Sequence, residues 1–185
     1  LGASYGSLLA TRLALAGHNV CLVCTASTAQ LINREGTRVR FPTRESGLLV
    51  EVRSHELPGS VRAAPPHEVQ PSQYDMCVLA MQESQYSDEP VRRLMQRIAR
   101  ARIPALAIMN MPPLPYLKRL LAGDKIDPLR AAYAMPRLWD AFDPDLVTLA
   151  SPDLQEFRPA GEGKNVRQVG LATDFKAAAC ACAQA

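Results

Sequence analysis

Apolar positions Leu8, Leu9, Leu13 and Ala16 recur at helical spacing around Arg12, which predicts a helix over Ser7–Ala16 stopped by Gly17. Val20–Cys24 is short and almost wholly apolar, the pattern of a parallel strand covered on both faces. Ser27 reads as the N-cap of a helix through Ala29, Leu31 and Ile32 to Arg34, ended by Gly36. Arg38–Phe41 and Leu48–Arg53 alternate in polarity and predict an antiparallel pair joined by a turn at Glu45-Ser46-Gly47. Pro58–Pro71 reads as a Pro-rich connection. Asp75–Ala80 is a further buried strand. Asp88–Arg100 is a helix with Val91, Leu94, Met95 and Ile98 on one face. Ala105–Met109 predicts a strand, Leu114–Leu121 a short helix closed by Gly123-Asp124, and Arg130–Met135 another strand. Leu146–Ala150, Leu154–Arg158 and Asn165–Val169 follow as strands separated by turns.

Strands and helices alternate through the first 120 or so residues, which argues for an α/β fold: a doubly wound, mostly parallel sheet of the Rossmann-like kind. The strand-rich stretch after Arg130 predicts that antiparallel strands extend that sheet. Residues 1–170 read as one nucleotide-binding domain, and 171–185 as an Ala/Cys-rich tail or the start of a helical C-terminal domain. The chain opens on a turn rather than on a buried strand, so the unit's first strand is expected to precede Leu1.

Composition narrows the partners. The chain has 185 residues, 48% hydrophobic and 21% charged, which suits a globular domain rather than a disordered one. A formal net charge of +3 is too small to argue for nucleic acid and is compatible with an anionic ligand. No apolar run reaches the roughly 18 residues of a membrane span. The densest basic run, Arg92 to Arg102, lacks interleaved aromatic residues and reads as a solvated face. Of five cysteines, Cys21, Cys24 and Cys77 fall in predicted strands, whereas Cys180 and Cys182 lie in the tail. The odd count, with no disulfide framework, favours a reducing cytoplasm. Cys21 and Cys24 have zinc-like spacing, but residues three apart on a strand face opposite ways and no second pair completes a site, so no metal is expected. Trp139 and Phe142 read as core or interface anchors.

The residues that could carry chemistry stand at turns. Gly2, Ala3, Ser4, Tyr5 and Gly6 lie between an expected strand and a helix, where backbone amides and a helix N-terminus can hold a pyrophosphate. Cys24, Thr25, Ala26 and Ser27 close the strand that follows. A carboxylate there would favour the non-phosphorylated dinucleotide by bonding its ribose hydroxyls; its absence, with Arg34 one helix later, favours a 2′-phosphate. Gln82, Gln85 and Asn110 follow the carboxyl ends of two neighbouring strands, where open α/β sheets place ligands.

In order, the segments Gly6-Ser-Leu-Leu-Ala-x-Arg-Leu-Ala-x-Ala-Gly17-His-x-Val, Leu79-Ala80 followed by Gln85, and Ala107-Ile-Met-Asn110 resemble the N-terminal domain of the ketopantoate reductase family. The resemblance spans residues 1 to about 170. It implies a nicotinamide cofactor, NADP rather than NAD, and a small 2-keto acid as substrate. It implies that Gly2, Ala3, Ser4, Tyr5, Gly6, Thr25, Gln85 and Asn110 contact the cofactor, and that Asn110 and Gln82 stand at the reacting centre. The family's catalytic lysine belongs to a separate helical domain, which residues 1–185 do not supply. A second copy of the chain is a further partner compatible with this reading.

The chain also departs from the family pattern. Leu1 and Ala3 occupy two of its glycine places, or else Gly2 is the first glycine and one residue is deleted. Gln82 stands where the family has a lysine, and Met111, Pro112 and Pro113 replace the glycines after Asn110. These departures motivate an alternative: a Rossmann module kept for binding or assembly after losing cofactor chemistry.

Overall fold

A computed structural model describes residues 1–42, 49–109, 111–121 and 123–150 of the chain. The protein is mixed α/β, and it divides into two compact units, Leu1–Gln70 and the part beginning at Pro71.

In the first unit, helix α1 (Ala3–Leu15) leads to strand β1 (Val20–Val23), helix α2 (Ala26–Glu35), the antiparallel pair β2 (Arg38–Pro42) and β3 (Leu49–Arg53), and strand β4 (Val61–Ala64). β1 runs parallel to β4, with Val20 opposite Val61 and Val23 opposite Ala64. Among the described residues β2 and β3 pair only with each other, in the register Arg38–Arg53, Val39–Val52 and Arg40–Glu51. The core of the unit is built from small and branched residues: Ala10, Leu22, Ala29, Ile32 and Ala63. α1 turns Gly6, Ala10, Thr11 and Ala14 inward. Such small side chains let a helix backbone lie close to the sheet. Asn33 ties α2 to β4: its Nδ2 donates to the Ala63 carbonyl at 2.8 Å, and its Oδ1 accepts from the Ala63 amide at 2.8 Å.

The second unit contains strand β5 (Cys77–Leu79), helix α3 (Glu89–Ala101), strand β6 (Ala105–Ala107), helices α4 (Leu114–Leu120) and α5 (Gly123–Arg130), and strand β7 (Val147–Leu149). The three strands form a parallel sheet in the order β5-β6-β7. α3 buries Val91, Leu94, Met95 and Ile98, the face the sequence marks out. Trp139 is wholly buried, 5.6 Å from the Tyr86 ring and 5.7 Å from the Phe142 ring, so it is a core residue of this unit.

Several sequence expectations need correction. The strand near residue 147 runs parallel to β6 and does not extend the sheet in antiparallel fashion. Arg130–Met135 is the end of a helix and a turn, not a strand. The Pro-rich stretch 58–71 contains β4. The first helix begins at Ala3, four residues earlier than the apolar pattern places it, and Thr25 rather than Ser27 caps α2. The turn at Glu45–Gly47, Asn110, the strands expected over Leu154–Arg158 and Asn165–Val169, and the tail with Cys180 and Cys182 lie outside the described residues.

Candidate functional site

The chemistry-bearing turn of the first unit is organised by one glycine. Gly2 has φ 95° and ψ 100°, a conformation that side-chain-bearing residues rarely adopt. From it the Gly2 amide donates to the Val23 carbonyl at 3.0 Å, and the Gly2 carbonyl accepts from the Gly6 amide at 3.0 Å, opening α1. The same residue therefore fixes the start of the helix beside the carboxyl end of β1. No side chain caps this helix, and helix geometry leaves its first amides without intrahelical acceptors. Ser4 and Tyr5 are exposed at this end, and Gly6 is buried against the unit's core. Ser7 is drawn back along the helix, its hydroxyl donating to the Ser4 carbonyl at 3.1 Å.

A second helix starts at the same strand end. Thr25 follows β1 closely and caps α2, its Oγ1 accepting from the Thr28 amide at 3.4 Å. The Thr25 hydroxyl lies 2.9 Å from that of Thr28 and 3.3 Å from that of Ser27, an exposed cluster of three hydroxyls. No acidic residue lies in the first turn of either helix. The carboxyl end of β1 is thus flanked by two positive helix ends and hydroxyl groups, a setting that suits anionic oxygens and does not repel them. Arg34 does not contribute. It sits in the last turn of α2, about 13 Å along the axis from Thr25 at ordinary helical rise, and is paired with Glu35 at 2.7 Å. Cys24, also at the strand end, is half-buried; burial, helped by Cys21, pushes its thiol up, away from thiolate character.

In the second unit, a short 3-10 helix over Glu83–Ser87 follows β5, with Gln82 as its N-cap and Gln85 as its third residue. The Gln85 Oε1 accepts from the Gln82 amide at 2.9 Å, and the Gln82 side chain accepts from the Gln85 amide. The two glutamines therefore form a capping box and satisfy each other's backbone. Both residues are exposed. Beneath the turn, the buried Tyr86 hydroxyl accepts from the Met81 amide at 3.3 Å, and burial lifts the phenol above its ordinary range. The loops after β5 and β6 are joined by a third segment: the Ala134 amide donates to Glu83 Oε2 at 2.9 Å, and the Tyr133 hydroxyl donates to the Pro112 carbonyl. This bridge carries no sequence signal, because each bond joins a side chain to a backbone group, across 51 and 21 positions of the chain.

Among the described residues no group of three or more His, Cys, Asp or Glu side chains could hold a metal ion, and no helix is long and apolar enough to cross a membrane. No protein-family model matches the chain, and no curated protein or solved structure is significantly similar to it.

Proposed function

We propose that this chain is the nucleotide-binding part of an NADP-dependent oxidoreductase resembling ketopantoate reductase, with a Rossmann-like arrangement and a small keto acid as substrate. The observation that supports the reading most is the convergence of α1 and α2 on the carboxyl end of β1. One helix begins at the positive-φ Gly2 and the other at the Thr25 cap, with no carboxylate in the first turn of either. In this reading the amides after Gly2 hold the pyrophosphate, and Ser4 and Tyr5 flank it. The hydroxyls of Thr25, Ser27 and Thr28 hold the adenosine end and its 2′-phosphate. The bound nicotinamide would supply a hydride, while the protein contributes orientation and electrostatics. Gln82, Gln85 and Asn110 are the residues the resemblance assigns to the nicotinamide and the reacting centre. The Gln82 and Gln85 amide groups retain N–H donors for that role, since the capping box uses only their oxygens.

A second reading is a binding or assembly module without chemistry. The capping box favours it, because Gln82 stands in the family's lysine place and its side chain is already engaged in holding a turn. Calorimetric titration of NADPH and NADH into the protein separates the two. The oxidoreductase reading expects micromolar binding of NADPH, about −8 kcal/mol, and weaker binding of NADH. Failure of a folded sample to bind either nucleotide at millimolar concentration would refute it and leave the module.

A further inference from the structure

Among the described residues the β2–β3 ribbon pairs with no other strand, and the outer edge of β3 has an uncommon charge sequence. The Ser54 amide donates to the Thr37 carbonyl directly opposite it, at 3.0 Å. Antiparallel pairs alternate between hydrogen-bonded and non-hydrogen-bonded. It follows that Val52–Val39 is a hydrogen-bonded pair, whereas Glu51 and Arg53 turn their N–H and C=O groups away from β2. No main-chain hydrogen bond among the described residues engages those outward groups. β3 is also unusually apolar for an edge, with Leu49 64% and Val50 42% exposed. A two-stranded ribbon is marginal in water by itself, and further strands stabilise it.

The charges on this edge are arranged to match themselves. Glu51 holds Arg40 at 2.7 Å and Arg53 at 3.2 Å, and these two arginines, Arg40 first, keep its carboxyl below the usual range. Arg53 lies directly across from Arg38, a like-charge pair that disfavours the ribbon. We propose that two copies of this chain associate through β3, antiparallel about a two-fold axis at Val52, so that Glu51 of each copy faces Arg53 of the partner subunit. This register sets the outward-pointing backbone groups of Glu51 against those of Arg53. Each Glu51–Arg53 pair exchanges two main-chain hydrogen bonds, and Val52 meets Val52 of the partner subunit in the closer, non-hydrogen-bonded spacing. Moving the axis by one residue in either direction places Glu51 against Glu51 or Arg53 against Arg53, and like charges opposite one another are unfavourable. The proposed register also gives each Arg53 a second carboxylate on the side away from Arg38. The product is a four-stranded antiparallel sheet formed by strand addition, with an isologous interface.

The test is sedimentation equilibrium of the full chain from about 1 µM to about 1 mM, the range in which a small interface of this kind dissociates. The wild type is expected to shift from 20.2 kDa to twice that mass. Glu51→Arg alone and Arg53→Glu alone each place like charges at both cross-interface pairs, and each is expected to weaken association at least tenfold. In a mixture of the two variants, one copy is positive at both positions and the other negative at both, so both cross-interface pairs of a heterodimer are opposite in charge and association is expected to recover. A wild type that stays monomeric throughout, variants that associate as well as wild type, or a mixture no tighter than either variant alone would each overturn the proposal. If either variant fails to fold, amide exchange on the wild type decides. Slowing at Glu51 and Arg53 as concentration rises supports the interface, and exchange independent of concentration refutes it.

Discussion

Gly59→Ala is expected to damage the first unit far more than an ordinary glycine-to-alanine change. A Cβ at this position would lie 2.2 Å from the His18 carbonyl oxygen and 2.9 Å from that of Ala14. Both obstacles are backbone, so neither can rotate out of the way. To restore ordinary contact the end of α1 and the turn at Gly59 must part by about 1 Å, an overpacking that costs about 1–3 kcal/mol. The parting also breaks the bond from the Gly59 amide to the Ala14 carbonyl, 2.9 Å in the native chain, worth about 1 kcal/mol. The sum is about 2–4 kcal/mol, a large share of the stability of a typical domain. Gly17→Ala is the control. Gly17 has φ 90°, but a Cβ there would meet nothing within 4 Å, so only conformational strain is incurred, about 1–2 kcal/mol. Urea denaturation followed by circular dichroism should place the Gly59→Ala midpoint below that of Gly17→Ala at similar slope. An equal or higher midpoint for Gly59→Ala would refute the steric argument.

Three further outcomes follow from the same contacts. Asn33→Ala strips both main-chain groups of Ala63 of their side-chain partner and should cost about 2–3 kcal/mol, and Asn33→Asp, which keeps the acceptor for the Ala63 amide but sets a carboxylate oxygen against the Ala63 carbonyl, should cost no less at neutral pH; a denaturation series reads both. Trp139→Ala should cost about 3–5 kcal/mol and bring loss of near-ultraviolet dichroism, and an unchanged midpoint would contradict its burial against Tyr86 and Phe142. Asp140 is held down to about 2 by Arg130 first and then by Lys118. A depressed carboxyl stabilises the fold above its unfolded pKa near 4 and loses that contribution as pH falls toward 2. With its side chain 44% exposed, screening reduces the effect to about 1 kcal/mol, and Asp140→Asn should flatten the acid limb of a stability–pH profile by that amount.

How far each element is legible in the sequence depends on its length and on what sets its ends. The α3 face is legible because Val91, Leu94, Met95 and Ile98 repeat at helical spacing in a helix of 13 residues. β4 is not, because Val61–Ala64 has only four residues, two of them alanine, inside a Pro-rich stretch. α5 is hidden by its own Pro128, which reads as a helix breaker. The start of α1 is set by the backbone of Gly2 and not by side-chain periodicity, so an apolar pattern beginning at Leu8 places the helix start too late. At the candidate site, Gly2 is identifiable because glycine has a particular use at turns, and Thr25 because it closes the strand that follows α1; its role as the cap of α2 is not, because Ser27 is an equally good capping residue two positions on. The mutual cap of Gln82 and Gln85 follows a spacing of three residues that also fits a ligand-binding pair, and only the hydrogen bonds distinguish the two uses. The edge of β3 is a matter of register, which depends on which strand residue faces which partner.

If the carboxyl end of β1, between the starts of α1 and α2, takes the phosphates of a dinucleotide, the amides there must sense the ligand. The most direct measurement is an amide-resolved NMR titration of the full chain with NADPH. Saturable shifts concentrated at Gly2–Gly6 and Thr25–Thr28 are expected, with NADH moving the first set more than the second. Shifts confined to other parts of the chain, or none at saturating nucleotide, would contradict the proposed site.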